Sequence, residues 1–376
     1  MTPSAPTPIH LLGQTLEDLT ALAAEYGQSA FRGKQLAEWV FAKRALKVAD
    51  MTNLPQALRE ALEQRATLRT MSLARVEGSA DTTRKFLFKL SDGRFIETVL
   101  IPASVSFDGE RSDRRTLCVS SQVGCAYDCK FCASGLAGFA RNLTAAEIVE
   151  QVVQVEAEAG ERIDNIVFMG MGEPLANFSN LSQALAILNA HWGIGIGARR
   201  MTVSTSGLAP QIKKLADNPM QARLAISLHG ASNEVRDRIM PVNQKYPLDE
   251  LFEALIYWKQ RHKQRMTFEY ILIADVNDSL EQARLLVKRA RSVDAKVNLI
   301  PYNTVEGLPW ERPAEAQQEA FLKVLVDAGV PATLRREKGH DIAAACGQLR
   351  LKQETDLGII ESPIPTKRIT IGGGVG

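Results

Sequence analysis

The chain has 376 residues, 45% of them hydrophobic, which is enough for one large domain and a smaller companion. Its 45 Lys and Arg against 43 Asp and Glu leave a formal net charge of +2. That near-balance excludes a polybasic nucleic-acid coat and an acidic disordered chain, but not local basic patches.

The opening MTPSAPTPIHLLGQTLEDL has neither a basic start nor an apolar run, so it does not read as a signal peptide. No apolar stretch reaches the length of a bilayer span, and a soluble cytoplasmic protein with no membrane partner is expected. Residues 1–70 read as a small helical domain. Leu16, Leu19, Leu22 and Ala23 give one apolar stripe; Leu36, Trp39, Val40 and Phe41 belong to the next. Leu54, Leu58 and Leu62 give a third behind Pro55. Arg32, Lys34, Lys43 and Arg44 make this module locally basic, as either a solvated face or an RNA-contacting surface.

Residues 71–110 change period. Arg84–Leu90, the turn Ser91-Asp92-Gly93 and Arg94–Ile101 predict a β-hairpin. Glu97 falls inside its second strand. Pattern alone favours an outward-facing strand residue there over a buried functional acid.

Residues 111–350 alternate strand-like and helix-like segments, which places the chain in the α/β class. Strands are predicted at Arg115–Ser121, Asn165–Met169, Arg200–Ser204, Arg223–Ser227, Thr267–Ile273 and Lys296–Pro301. Helices are predicted at 144–158, 179–190, 208–217, 248–263, 280–292 and 314–328, with a further strand at Ala332–Arg335. Repeated βα units with apolar strands imply a parallel sheet covered by helices. The strands run into Gly172-Glu173-Pro174, Ser204–Gly207, Ser227-Leu228-His229 and Pro301-Tyr302-Asn303. In a parallel α/β barrel such endings open on one face, so these four can line one site. Residues 351–376 read as a tail.

The cysteines carry the chemistry. Five is an odd count, and with no secretory signal it argues against a disulfide framework. Cys118, Cys125, Cys129 and Cys132 lie close together, and Cys346 stands alone. The spacing Cys125-x3-Cys129-x2-Cys132 suits a [4Fe–4S] cube, which normally takes four thiolates. Three leave one iron open to chelate a small molecule. A four-thiolate zinc site that includes Cys118, or inert reduced cysteines, are the competing readings, although the paired Cx2C knuckles of structural zinc are missing.

The motif CxxxCxxC with Phe131 before its last cysteine resembles the radical S-adenosylmethionine (SAM) superfamily. Together with MGMGEPL (169–175), the three other endings, Cys118 and AACGQL around Cys346, it resembles the RlmN/Cfr-type RNA adenine methyltransferases over most of the chain. The resemblance implies a partial (βα)6 barrel with an N-terminal helical domain that docks RNA and a β-hairpin extension. It implies a [4Fe–4S] cluster on Cys125, Cys129 and Cys132, with SAM on the open iron. Gly172, Glu173, Ser204, Ser227, Leu228, His229 and Asn303 would form the SAM pocket. His229 taken alone reads as a structural histidine, but its place beside Ser227 points to function. Met169 would pack near adenosine, near Cys118 or in the core.

The resemblance further implies that Cys346 accepts a methyl group from SAM, that Cys118 resolves a covalent RNA adduct through a Cys118–Cys346 disulfide, and that Glu97 is a candidate base. The product would be 2-methyladenosine in 23S rRNA and in a tRNA anticodon loop. The partners would be those RNAs and a reducing electron donor such as flavodoxin, with the enzyme a monomer. Arg111, Arg114, Arg115, Arg335, Arg336 and Lys338 are basic residues expected near the mouth. Two rivals stay open: a C8-methylating sister enzyme, and a non-catalytic metal-binding RNA module.

Overall fold

The structure is a computed structural model that describes residues 8–78, 83–102, 114–136, 138–305, 307–335 and 348–359. At the N-terminus, β1 (Ile9–His10) precedes helices α1 (Leu16–Glu25), α2 (Ala30–Ala37) and α3 (Gln56–Arg65), and β2 (Ala66–Thr67) returns parallel to β1. Thr15 caps α1 reciprocally with Asp18, which satisfies two otherwise orphaned amides. The predicted stripes all turn inward: Leu19, Leu22, Leu36, Val40, Phe41, Leu58 and Leu62 are buried.

A second group of strands follows: β3 (Ser72–Gly78), β4 (Arg84–Lys89) and β5 (Phe95–Ile101), all antiparallel. The expected hairpin is β4–β5. The additional strand β3 was hidden by its composition, since SLARVEG is a mostly exposed edge strand that carries charges instead of an apolar alternation. Next come β6 (Thr116–Cys118), β7 (Gln122–Gly124), the short helix α4 (Ala133–Leu136) and β8 (Phe139–Asn142), which pairs with β7.

The repeated units then appear in the predicted order: α5 (Ala145–Ala159), β9 (Asn165–Phe168), α6 (Phe178–Asn189), β10 (Met201–Thr205), α7 (Ala209–Ala216) and β11 (Arg223–Ser227). After β11 the chain makes two short helices, α8 (Asn233–Ile239) and α9 (Val242–Lys245), before α10 (Leu248–Arg261). It continues through β12 (Thr267–Leu272), α11 (Leu280–Val293), β13 (Lys296–Pro301), α12 (Glu315–Asp327) and β14 (Ala332–Leu334). A last helix, α13 (Gln348–Asp356), occupies part of the segment read as a tail. Its few apolar residues hid it, yet Leu349 packs with Leu87 and Phe95 in a small core of its own.

Ten strands form one sheet in the order β14-β13-β12-β11-β10-β9-β6-β5-β4-β3. From β6 to β14 every neighbour is parallel; β5 joins β6 antiparallel. The parallel part is thus six βα units plus a final strand, consistent with a partial barrel. Residues from β9 through to the end of β14 line a single cavity, so the sheet curves around it.

The N-terminal helices are fixed to this barrel by α5. Glu150 of α5, fully buried, accepts hydrogen bonds from the amides of Thr70 and Met71 and from the Thr70 hydroxyl. Arg44 pairs with Glu156 at 2.5 Å, and Gln183 donates to the Gly13 carbonyl at 2.7 Å. No helix among the described residues is long and apolar enough to cross a membrane.

Candidate active site

The loop between β7 and α4 carries Cys125, Cys129 and Cys132. It turns sharply after Gly124, whose φ of +78° and near-contact with the Gly138 carbonyl leave no room for a Cβ. The three cysteines face a cavity of about 280 Å³. Across from them stand Met169 and Gly172 after β9, Ser204 at the end of β10, and Ser227 and His229 at the end of β11. Burial pushes the Cys125 thiol up to about 12, and the nearby Cys132 adds to that; Cys129 is raised well above its ordinary value by burial and by both neighbours. Thiolates crowded together this way need a cationic centre to hold them. Cys118, the fourth thiolate that a zinc site would need, is buried outside the cavity lining, so the three cysteines suit a cluster better than zinc.

Glu173 is buried, and its carboxyl is raised by that burial. One oxygen accepts from the Ser206 amide and hydroxyl at 2.7 and 2.8 Å, the other from the Leu175 amide at 3.0 Å. Gly172 has φ of +97°, and a Cβ there would strike Gln122 at 2.4 Å. Gln122 in turn accepts from the Glu173 amide at 2.8 Å. The hydroxyls of Ser204 and Ser227 lie 3.4 Å apart. The carboxylate and hydroxyls suit an amino acid's polar end, while Phe168, Met169, Met240 and Ile300 supply an apolar wall suited to a nucleoside.

His229 adopts a left-handed backbone, φ +52°, and its Nδ1 accepts from the Ile271 amide at 3.0 Å. The ring is therefore held neutral with its hydrogen on Nε2. Burial, aided by Arg236, drives its pKa down to about 3. Phe131 stands edge-on to it at 4.9 Å, which ties the cysteine loop to the end of β11.

Sequence reasoning missed Arg236. Fully buried on α8, it donates to the carbonyls of Ser206 and Leu228 at 3.0 and 2.6 Å, and its charge favours the Cys129 thiolate. It staples two strand ends beneath the cluster loop. An arginine in a helical stretch of mixed charge gives no local sign of this. Ser206 and Glu269 were missed as well. Ser206 was within sight in the STSG ending, while Glu269 lies mid-strand and is held by Asn298 at 2.6 Å.

Not every expected residue reaches the cavity. The Leu228 side chain is fully buried in the core and takes part through its backbone. Asn303 is half-buried beyond β13 and is not among the lining residues. Cys118 is buried on β6, on the wall beside the cavity and not in its lining. Cys346, Arg111, Arg336 and Lys338 lie outside the described residues.

Glu97 corrects the outward-facing expectation. It is 2% exposed, paired with the equally buried Lys85 at 3.1 Å, and accepts from the Arg350 amide at 2.6 Å. Strand alternation leaves the face choice open; the facing Lys85 and the docked α13 decide it.

Residues 119–287 match the family model of the Radical SAM superfamily, and residues 9–68 that of the Ribosomal RNA large subunit methyltransferase N-terminal domain. A relative from Akkermansia muciniphila, named "Probable dual-specificity RNA methyltransferase RlmN", is 54% identical over 93% of this chain and 98% of its own. The chain belongs to the RlmN family of radical SAM methyltransferases. A Geotalea uraniireducens RlmN, named a dual-specificity RNA methyltransferase, is 45% identical over 89% of this chain and 95% of its own. The crystal structure of a radical SAM methyltransferase from Sphaerobacter thermophilus superimposes with a TM-score of 0.84 at 42% identity, covering 91% of this chain and 99% of that one. Membership of the radical SAM superfamily implies a [4Fe–4S] cluster and SAM, and the chemistry of the residues around this cavity suits both.

Proposed function

We propose that this enzyme methylates C2 of an adenosine in 23S rRNA and of an adenosine in a tRNA anticodon loop, with SAM as methyl source. The observation that carries the reading is the convergence of the CxxxCxxC thiols, the Glu173–Ser206 carboxylate and the Ser204 and Ser227 hydroxyls on one cavity, with Cys118 in the adjoining wall.

A [4Fe–4S] cluster with SAM in this cavity would supply one-electron reductive chemistry. Cys125, Cys129 and Cys132 hold that cluster. Glu173 takes the ammonium of the methionine end, and Ser204, Ser227, His229 and Asn303 complete the pocket, with Leu228 acting through its backbone. Adenine C2 is electron-poor and resists direct displacement at a SAM methyl, so the methyl is first carried on a thiolate, a strong nucleophile. Cys346 has that role. One hydrogen atom of the carried methyl would first be given up to the radical chemistry, its carbon would join C2, and Glu97 would remove the ring proton as one electron leaves the ring for the redox centre. The Cys118 thiolate would then attack the Cys346 sulfur, the carbon–sulfur bond would break with the freed carbon taking a proton to become the methyl group, and cellular reductant would reopen the disulfide left behind. The point where the described chain resumes supports this: Arg350, four residues after Cys346, bonds through its amide to Glu97, on the strand next to Cys118.

Residues 1–70 act as the RNA-docking domain, 71–110 as the hairpin and linker, 111–350 as the catalytic barrel and 351–376 as the tail. The enzyme works as a cytoplasmic monomer fed by a flavodoxin-type donor. The test is the RNA itself: digests from cells lacking the protein should lose 2-methyladenosine from rRNA and tRNA. Cys118→Ala should accumulate protein covalently joined to RNA, seen as a nuclease-sensitive band shift. An 8-methyladenosine product, or normal turnover by Cys118→Ala, contradicts the assignment.

A further inference from the structure

A second cavity, of about 390 Å³, carries four arginines: Arg114, Arg199, Arg200 and Arg223. Thr116, Asn165, Val167 and Thr202 form its floor. Thr116, Asn165 and Arg223 open β6, β9 and β11, and Arg199 and Arg200 lead into β10. The cavity is therefore the N-terminal mouth of four adjacent parallel strands, at the opposite end from the cysteine loop.

Alternation along a strand relates the two ends. Thr116 and Cys118 share one face, as do Asn165, Val167 and Met169, Thr202 and Ser204, and Arg223 and Ser227. The two cavities are mouths of one inner face, about 7–13 Å apart at roughly 3.3 Å per residue. Val167, in register with Cys118, lines the arginine cavity itself.

Four guanidinium groups around one hollow repel each other unless something neutralises them. The cavity lining contains no carboxylate among the described residues. Among the described residues, Arg114, Arg199 and Arg223 have no carboxylate partner, and Arg200 only approaches Asp164, at 4.0 Å. All four are exposed, so a ligand can reach them. Guanidinium forks match phosphate oxygens in pairs, and the threonine hydroxyls and the Asn165 carboxamide add neutral donors.

The geometry points to a site for the RNA substrate's phosphodiester groups, next to an adenosine held at Cys118. This assignment rests on the RNA-methylating reading above. Its distance from Cys118 and its exposure favour a polymer's phosphates over a free anion.

The test uses reconstituted holoenzyme and substrate RNA. Arg199→Gln/Arg223→Gln removes two exposed charges and no sheet hydrogen bond. RNA affinity is measured against salt, alongside KM and kcat. Loss of two phosphate contacts should lower the slope of log affinity against log salt by about 1.5 and raise the RNA KM about tenfold with kcat kept. Arg199→Lys/Arg223→Lys should hold the slope. If wild-type enzyme methylates the RNA and the Gln variant keeps the same slope and KM, the site is wrong. Wild-type enzyme that binds SAM but leaves RNA unmethylated would overturn the function instead. Calorimetric binding of inorganic phosphate that the Gln variant loses, with its RNA slope unchanged, marks a free-anion site and equally defeats the assignment.

Discussion

Single residues here do two jobs at once. His229 lines the cavity, yet its Nδ1 is used by the Ile271 amide and its carbonyl by Asn277 at 2.7 Å. Its ring stays neutral in the folded protein down to about pH 3, while in the unfolded chain it charges near 6.5. The unfolded state therefore binds more protons between those values. Stability should fall as pH drops below 6.5, by at most about 1.4 kcal/mol per pH unit from this one group. His229→Asn keeps a carbonyl acceptor and tolerates the left-handed backbone. Urea midpoints from pH 7 to pH 5 should fall less steeply for the variant; equal slopes would remove His229 from the account. The sequence made His229 visible through its strand-end position. It did not show Arg236, because that residue acts across three segments that meet only in the folded chain.

Among the elements, α13 is the one that ties the C-terminal segment to the sheet. Arg350 gives its amide to Glu97 and its guanidinium to Glu354 at 2.8 Å; Glu354 in turn accepts from the Phe95 amide at 3.1 Å. These charges are buried with Lys85 under the β4–β5 hairpin. Removing one partner of such a pair strands the other, at a cost of about 3–5 kcal/mol. Lys85→Ala should accordingly lower urea-unfolding stability by about 3 kcal/mol. The double variant Lys85→Met/Glu97→Gln should recover most of it. If Glu97 is the base, the double variant stays stable but fails to methylate; full activity in it would leave Glu97 an anchor only. The hairpin was readable because its alternation is local and its turn is Ser-Asp-Gly. The docking of α13 was not, since it depends on amide-to-carboxylate hydrogen bonds, Arg350 to Glu97 and Phe95 to Glu354, between residues more than 250 apart in the chain.

At the scale of the whole molecule, the alternating βα pattern was enough to give a parallel sheet covered by helices, and the polar strand endings were enough to bring Gly172, Ser204 and Ser227 to one cavity. Both signals are repeated locally, and both are dictated by burial of strands on two faces. The arginine cavity left no such trace. Arg114, the Arg199–Arg200 pair and Arg223 come from three separate places in the sequence, and only the parallel register gathers them. The balanced total charge hides this asymmetry.

β6 has six strands on one side of it and three on the other, and its chain is bonded to both neighbours. A backbone amide paired in that position meets solvent only when the sheet itself opens. The Leu117 and Cys118 amides should then be among the last in the protein to exchange with deuterium, at rates near that of global unfolding. Early labelling of this strand in exchange mass spectrometry would contradict that. The Cys118 sulfur is in effect a stationary mark, and every group that reacts with it must be brought to it.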